Sequence, residues 1–454
     1  MRGVGIGWRP EIAADLLARP SAIDFVEVTA EACAQPHARR EAMAIAEVWP
    51  LVTHGVKLSL GSADGLDEER ARRLASVARD MRSTVVTEHV AFVRGGGREI
   101  GHLTQLPMTR EAVRVVAKNV AAARRFLPDV PLLLENVAWS FRWPDEEMDE
   151  GAFYTEIARQ TGCDLLLDVG NLYANAVNSG SDPLAVLDTF PLDRVRMLHI
   201  AGGVFEHGFY FDTHAHAIPE AGFALIEAAL ARVGDVPIVL ERDAGFPAFA
   251  KLSAEIDRAR AIPRGGFSPP SRQDAKTGRS ESDPISLAPL RLGGENHRLA
   301  DAQAALASLL TSVVAPSAND VAPFAADGIA RARGVLLRKR VDDALPLLPL
   351  LSRRPDIAAI ALACVVRTAR PATGVAIFDA FTIADAAAAD DSVLADDARR
   401  DRLLLRARFV RAGRGGILVP RVAPFVGRER TLGGASIWAI KGPGATASVR
   451  FAQR

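Results

Sequence analysis

The sequence predicts an α/β protein, a (β/α)8 barrel followed by a second, smaller, mainly helical domain. Three observations lead there. Over residues 1–262, short β-branched runs alternate with longer amphipathic stretches, the pattern of repeated βα units around a parallel sheet. The runs number about eight over about 260 residues, which matches the strand count and size of such a barrel. No glycine-rich phosphate-binding turn follows the first run, so a doubly wound open sheet fits less well.

The candidate strands, in chain order, are "GVGIG" from Gly3, "DFVEV" from Asp24, "GVKLSL" from Gly55, "TVVTEH" from Thr84, "PLLLEN" from Pro131, "DLLLDV" from Asp164, "RVRMLHI" from Arg194 and "PIVLER" from Pro237. Helical patterns lie between them, as at 67–81 and 109–127, with acidic residues early and basic ones late, as the helix dipole favours. From 263 to 292 the text is rich in Pro, Ser, Gly and charge and reads as a flexible linker. Residues 293–454 open with Ala- and Leu-rich segments of helical spacing and end in a Gly-rich, strand-like stretch.

Composition narrows the class. The 454 residues are 49% hydrophobic and carry 55 basic and 55 acidic side chains, so no charge excess points to nucleic acid or an anionic membrane. Three cysteines, Cys33, Cys163 and Cys364, lack the number and spacing of a disulfide framework or a thiolate zinc site. With neither a signal-peptide run nor an apolar stretch long enough to span a bilayer, the expectation is a cytoplasmic protein.

A barrel of this kind places its chemistry at the C-terminal ends of its strands. There the sequence puts Glu27 on the second, Glu88 and His89 on the fourth, Glu135 and Asn136 on the fifth, Asp168 on the sixth, His199 on the seventh and Glu241 on the eighth. His54 immediately precedes the expected third strand, and Asp212 and His214 fall in the loop after the seventh. Any one of these reads as easily as a helix cap or a hydrogen-bonded structural residue. As a set, carboxylates crowded on one rim repel one another unless cations lie between them. Imidazole plus carboxylate without thiolate suits iron, zinc or manganese. The donors are too many for one ion, so two or three carboxylate-bridged ions fit better.

The segments "HGVKLSLGS" (54–62), "TEHVAF" (87–92), "LPMT" (106–109), "LLENV" (133–137), "CDLLLDVGNLYANAVNSGSDP" (163–183), "LHIAGG" (198–203), "FDTHAH" (211–216) and "LERD" (240–243) carry a resemblance. In this order they resemble the DUF692 (UPF0276) family, whose best-understood members are multinuclear non-haem iron enzymes of methanobactin and 3-thiaglutamate biosynthesis. The resemblance covers about residues 3–250 and implies a xylose-isomerase-like barrel. It implies two or three iron ions in mixed ferrous and ferric states, held by His54, His89, Glu135, Asp168, His199, Asp212, His214 and Glu241. Asn171, Asp243 and Glu27 become catalytic candidates, dioxygen the cosubstrate, and a cysteine of a ribosomally made precursor peptide the target. The chain departs from the family where "IAGGVFEHGFY" lacks the second histidine of "LAGH", leaving His207 as its only nearby substitute, and where "LERD" replaces "IEWD". His216 is variable in the family, so its alternation with His214 is suggestive alone.

The second domain resembles, more faintly, the helical opening of partner proteins encoded beside these enzymes; an Ala- and Leu-rich bundle reads the same way. Its "RARGVLLRKR" (331–340) would serve as a basic face for an acidic leader peptide or as a solvated helix surface. Competing expectations are a zinc- or manganese-dependent phosphodiesterase or sugar isomerase on the same barrel, and a non-catalytic metal-binding scaffold.

Overall fold

A computed structural model describes residues 1–264 and 296–453, apart from 315–316, 318–320, 322–323, 372–374, 390–393, 413–416 and 445–447. Residues 265–292 of the expected linker lie outside the described residues. Two compact units emerge: Met1–Gly97 with Gly101–Ala305, and Arg98–Ile100 with Leu306–Arg454. The helix Asn296–Thr311, which the sequence reading groups with the second domain, has its first residues in the first unit.

The strands of the first unit are β1 (Val4–Gly7), β2 (Val26–Thr29), β3 (Leu51–Gly55), β4 (Val85–His89), β5 (Ala91–Gly95), β6 (Arg98–Gln105), β7 (Leu132–Glu135), β8 (Asp164–Asp168), β9 (Val195–Ile200), β10 (Val204–Glu206), β11 (Phe209–Phe211) and β12 (Ile238–Leu240). Eight close into a parallel barrel in the order β1-β12-β9-β8-β7-β4-β3-β2, while β5–β6 and β10–β11 form separate two-stranded sheets. Helices cross back between successive barrel strands. Their starts follow sequence logic: Asp67 caps the helix Glu68–Asp80, Thr109 caps Arg110–Arg124 and Asp149 caps Glu150–Thr161, each side chain accepting from a backbone N–H of the first turn. Gly162 and Gly180 end two helices at φ of 68° and 70°, where a side chain would be strained.

One strand lies elsewhere than expected. The third is "LVTHG" rather than "GVKLSL", so His54 sits within it and not before it. The reason is local: the N–H groups of Val56 and Lys57 donate to Glu31 and that of Leu58 to Glu88, which takes them out of the sheet ladder.

Alternation along the strands builds the site. Phe25, Val52, Leu133, Leu166, Met197 and Val239 form one buried cluster in the barrel interior. Each lies two residues before a candidate ligand: Glu27, His54, Glu135, Asp168, His199 and Glu241. Because side chains of a strand repeat with period two, the apolar layer and the polar layer face the same interior at successive depths. The apolar layer closes the floor beneath the polar one.

In the second unit, helices Ala326–Ala344, Ile357–Val366, Val375–Ala389 and Ala395–Arg408, with the short turns between the first two, supply a core that includes Val341, Leu348, Leu351, Ile383 and Leu405. A three-stranded antiparallel sheet, Phe425–Arg430, Ser436–Lys441 and Val449–Gln453, packs Ile437 and Ala439 on Leu403. Among the described residues no helix is long and apolar enough to cross a membrane.

Candidate metal centre

The strand ends bring the predicted residues together. His199 is the hub, fully buried, with Nε2 2.9 Å from Glu27 Oε2 and Nδ1 3.1 Å from Glu135 Oε1 and 3.5 Å from Glu241 Oε2. Glu135 Oε2 lies 3.3 Å from His89 Nε2 and 3.8 Å from His54 Nδ1. From the loop after β11, His214 sets Nε2 2.6 Å from Asp212 and Nδ1 3.0 Å from Glu241 and 3.5 Å from Asp243. His214 holds φ at 51°, an unusual conformation for a residue with a side chain, which marks a position fixed by its surroundings. His216 contacts Thr213 at 2.9 Å in an exposed position, and His207 sits exposed at φ 52° between β10 and β11.

Electrostatics follow from this crowding. Burial alone would lower the His89 pKa, but Glu135 and Glu88 push it up to about 9. Burial likewise opposes charge on His199 and His214, yet Glu27 and Glu241 around the first, and Asp212 and Glu241 around the second, hold both protonated well above the usual range. Burial would raise Glu135 and Glu241; the facing histidines instead hold both below the usual range, Glu241 far below. Burial, then the nearby Asp212, pushes Asp168 up to about 8.

Three overlapping donor groups have ligand atoms mutually within 4.8 Å: Glu27, His54 and His199; His54, His89 and Glu135; and Glu135, Asp168, His199 and Glu241. The test of fit is whether lone pairs remain free to bind. Buried Asp168 Oδ2 and Asp212 Oδ1, and Glu135 Oε2 apart from its 3.3 Å approach to His89, have no hydrogen-bond partner, a costly state for buried polar oxygens that a cation would relieve. Gly170 keeps the space beside them open, since a Cβ there would lie 3.1 Å from Asp168 Oδ1 and 3.3 Å from Asp212 Oδ1. The residues therefore fit metal ions.

Second contacts orient these ligands. Asp168 Oδ1 accepts from Asn171 N, and the Asn171 amide donates to the Asn136 carbonyl. Thr87 Oγ1 lies 2.8 Å from His54 Nδ1, and the Gly55 carbonyl 3.1 Å from His89 Nδ1. Two contributors escape sequence reasoning. Asn136 stands visibly at its strand end, but its role does not show there: it exchanges hydrogen bonds with Asp168, accepting from its N–H at 2.8 Å and donating to its carbonyl at 2.9 Å. Arg9, just beyond β1, donates to Asp243 and to the Trp8 carbonyl. The "GWRP" that holds it carries no ligand-type residue, and its distance of 234 positions from Asp243 hides the pairing.

Fold and site together define a (β/α)8-barrel protein whose strand ends gather histidines and carboxylates able to hold metal ions. Residues 3–264 match the family described as RiPP precursor modification enzyme MbnB/TglH/ChrH, and the chain belongs to that family. A UPF0276 protein of Streptomyces avermitilis is 42% identical over 266 residues, 57% of this chain and 54% of that protein. The chain thus spans about half the length of that relative. A UPF0276 protein of Caulobacter vibrioides is 38% identical over 262 residues, covering 57% of this chain and 93% of its own length. Among solved structures, endonuclease IV from Thermus thermophilus aligns at a TM-score of 0.38 and 21% identity, over 58% of this chain and 98% of that one.

Proposed function

We propose that this protein holds two or three iron ions at the barrel rim and uses dioxygen to modify a cysteine of a ribosomally synthesised precursor peptide oxidatively. The observation that carries the reading is the overlap of the donor groups: Glu135, whose two carboxylate oxygens can each take an ion, belongs to two of them, as carboxylate-bridged ions require. Asp168, Asp212, His214 and Glu241 complete the ligand set, with His89 beside Glu135. When bound, iron supplies a Lewis acid that lowers the pKa of a substrate thiol and a source of electrons for dioxygen.

The chain's own residues prepare that chemistry. The apolar layer below the rim excludes water and lowers the local dielectric, which strengthens every charge interaction above it. Glu27 holds His199 at Nε2, and Asn171 fixes the Asp168 carboxylate through its N–H. Asp243 has a side chain 47% exposed while Arg9 holds one of its oxygens, so it lies where a substrate group arrives. Its other oxygen, 3.5 Å from His214 Nδ1, would accept a proton from the peptide.

Anaerobic purification with metal analysis, followed by oxygen uptake with a cysteine-containing peptide, tests the reading. The expected result is at least two irons per chain and peptide-dependent oxygen consumption. Zinc alone in iron-replete cells, with no oxygen uptake, overturns it, and turnover of abasic DNA or a ketose under argon would favour the zinc- or manganese-dependent alternative.

A further inference from the structure

Between Glu241 and Asp243 stands a residue that takes no part in the rim. Arg242, the third residue of "LERD", is 2% exposed, and its side chain leaves the barrel interior for the helix Phe249–Ala261. There its Nη2 lies 2.9 Å from Glu255 Oε2. The other oxygen of Glu255 meets the loop that carries His214: Oε1 accepts from Ile218 N at 2.9 Å. Glu255 thus ties down that loop four residues beyond His214.

The neighbours of Arg242 reach the same loop directly. Asp243 N donates to the His214 carbonyl at 2.8 Å, and Glu241 Oε2 lies 3.0 Å from His214 Nδ1. The backbones pack closely around these contacts. A Cβ on Gly245 would lie 2.4 Å from the Ala215 carbonyl oxygen, and one on Gly202 would lie 2.2 Å from that of His216. The loop needs such restraint, because His214 holds φ at 51°, a conformation that persists only where the surroundings impose it.

We propose that Arg242 and Glu255 form a buried strap that sets His214 against Glu241, Arg242 fixing the Glu255 carboxylate and Glu255 fixing the loop at Ile218. Both are positioning residues. Arg242 Nε is buried with no hydrogen-bond partner, and the pair with Glu255 is the one ion pair Arg242 makes among the described residues. Apolar side chains of similar size often stabilise an interior as well as a buried ion pair does, so stability alone gives little reason for a charge here. Direction gives one: a carboxylate held by a guanidinium on one oxygen presents the other at a fixed angle to the Ile218 N–H. That His214 binds metal rests on the function proposed above; the strap does not, and it is read in the metal-free chain.

Amide hydrogen exchange on the metal-free full chain is the first test. R242M should speed exchange at Ile218 and Asp243 about tenfold, the worth of one hydrogen bond, while the helix Arg110–Arg124 keeps its protection. R242K should recover most of that loss. E255D keeps the charge but is too short to reach both Arg242 and Ile218, so it should speed exchange at Ile218 equally, and it carries the test if R242M does not fold. Zinc titration reads the consequence: R242M should weaken binding about tenfold in the wild-type chain, yet change by less than about twofold the binding of whatever zinc H214A retains. Unchanged exchange at Ile218 in R242M and E255D, or an equal loss of zinc affinity with and without His214, would each overturn the proposal. A wild-type chain that takes up no zinc and no iron counts against the metal reading alone, and exchange then decides the strap.

Discussion

Asp168 shows how one side chain serves fold and site at once. Its Oδ1 caps the helix Val169–Ser179 by accepting from Asn171 N, while its Oδ2 is buried with no partner. A helix cap and a candidate metal ligand are thus not competing explanations for an acidic residue at a strand end: one oxygen makes the cap and the other stays available to an ion. Gly170, the next residue but one from the strand, decides whether this arrangement stays open. Replacing Gly170 by Ala sets a methyl group against the Asp168 and Asp212 carboxylates at 3.1 and 3.3 Å, within a helix that favours Ala over Gly by about 0.5–1 kcal/mol. The expected outcome is G170A protein that folds with an unchanged or raised melting temperature yet binds less than half the metal of wild type, read by elemental analysis. Full metal content would show that the two carboxylates do not share an ion. At this scale the residues with ligand chemistry are legible in the sequence because His, Asp and Glu at strand ends announce themselves. Arg9 and the role of Asn136 are not, because each acts through a partner distant in sequence.

The strands turn that list of residues into a site. Six apolar side chains precede six candidate site residues by two residues each, so the period of the strand alone stacks a dry floor under a polar layer. The same logic explains the misplaced third strand. "GVKLSL" alternates like a strand, but its N–H groups find Glu31 and Glu88, two carboxylates that no local pattern would pair with it. Between β7 and β8 the link is Asn136, which satisfies the N–H and carbonyl of Asp168 while both are buried. Removing the amide in N136A leaves two buried backbone groups unpaired at about 1–3 kcal/mol each. Urea unfolding should show a loss of about 2–6 kcal/mol, and metal content should fall with it because the Asp168 backbone is no longer fixed. A loss under about 0.5 kcal/mol, the scale of an ordinary surface substitution, would mean that water replaces the amide.

For the molecule as a whole, the rim poses a charge problem that protons solve in the metal-free chain. Without metal, His89, His199 and His214 stay protonated and act as the counter-ions of Glu27, Glu135, Asp212 and Glu241. His89 holds its proton to about 9 in the folded chain against an ordinary 6.5, so its contribution is complete below 6.5 and lost as pH rises through 9. Asp168 has the same sign: it ionises near 8 folded and near 3.8 unfolded, so the folded state binds the extra proton and loses ground as pH rises through that window. Glu135 and Glu241 have the opposite sign, since their depressed values give stability that is lost on acidification. The metal-free chain is therefore expected to be most stable in mildly acidic solution, between the unfolded carboxylate range and that of histidine, and to melt several degrees lower at pH 9 than at pH 6. A metal bound there would displace those histidine protons, so its binding would release protons and tighten as pH rises. With ferrous iron or zinc added, the slope of melting temperature against pH should reverse over the same interval. Differential scanning calorimetry in the presence and absence of chelator reads both slopes. Parallel slopes would mean that the buried histidines and carboxylates are a salt-bridge network and not a metal centre.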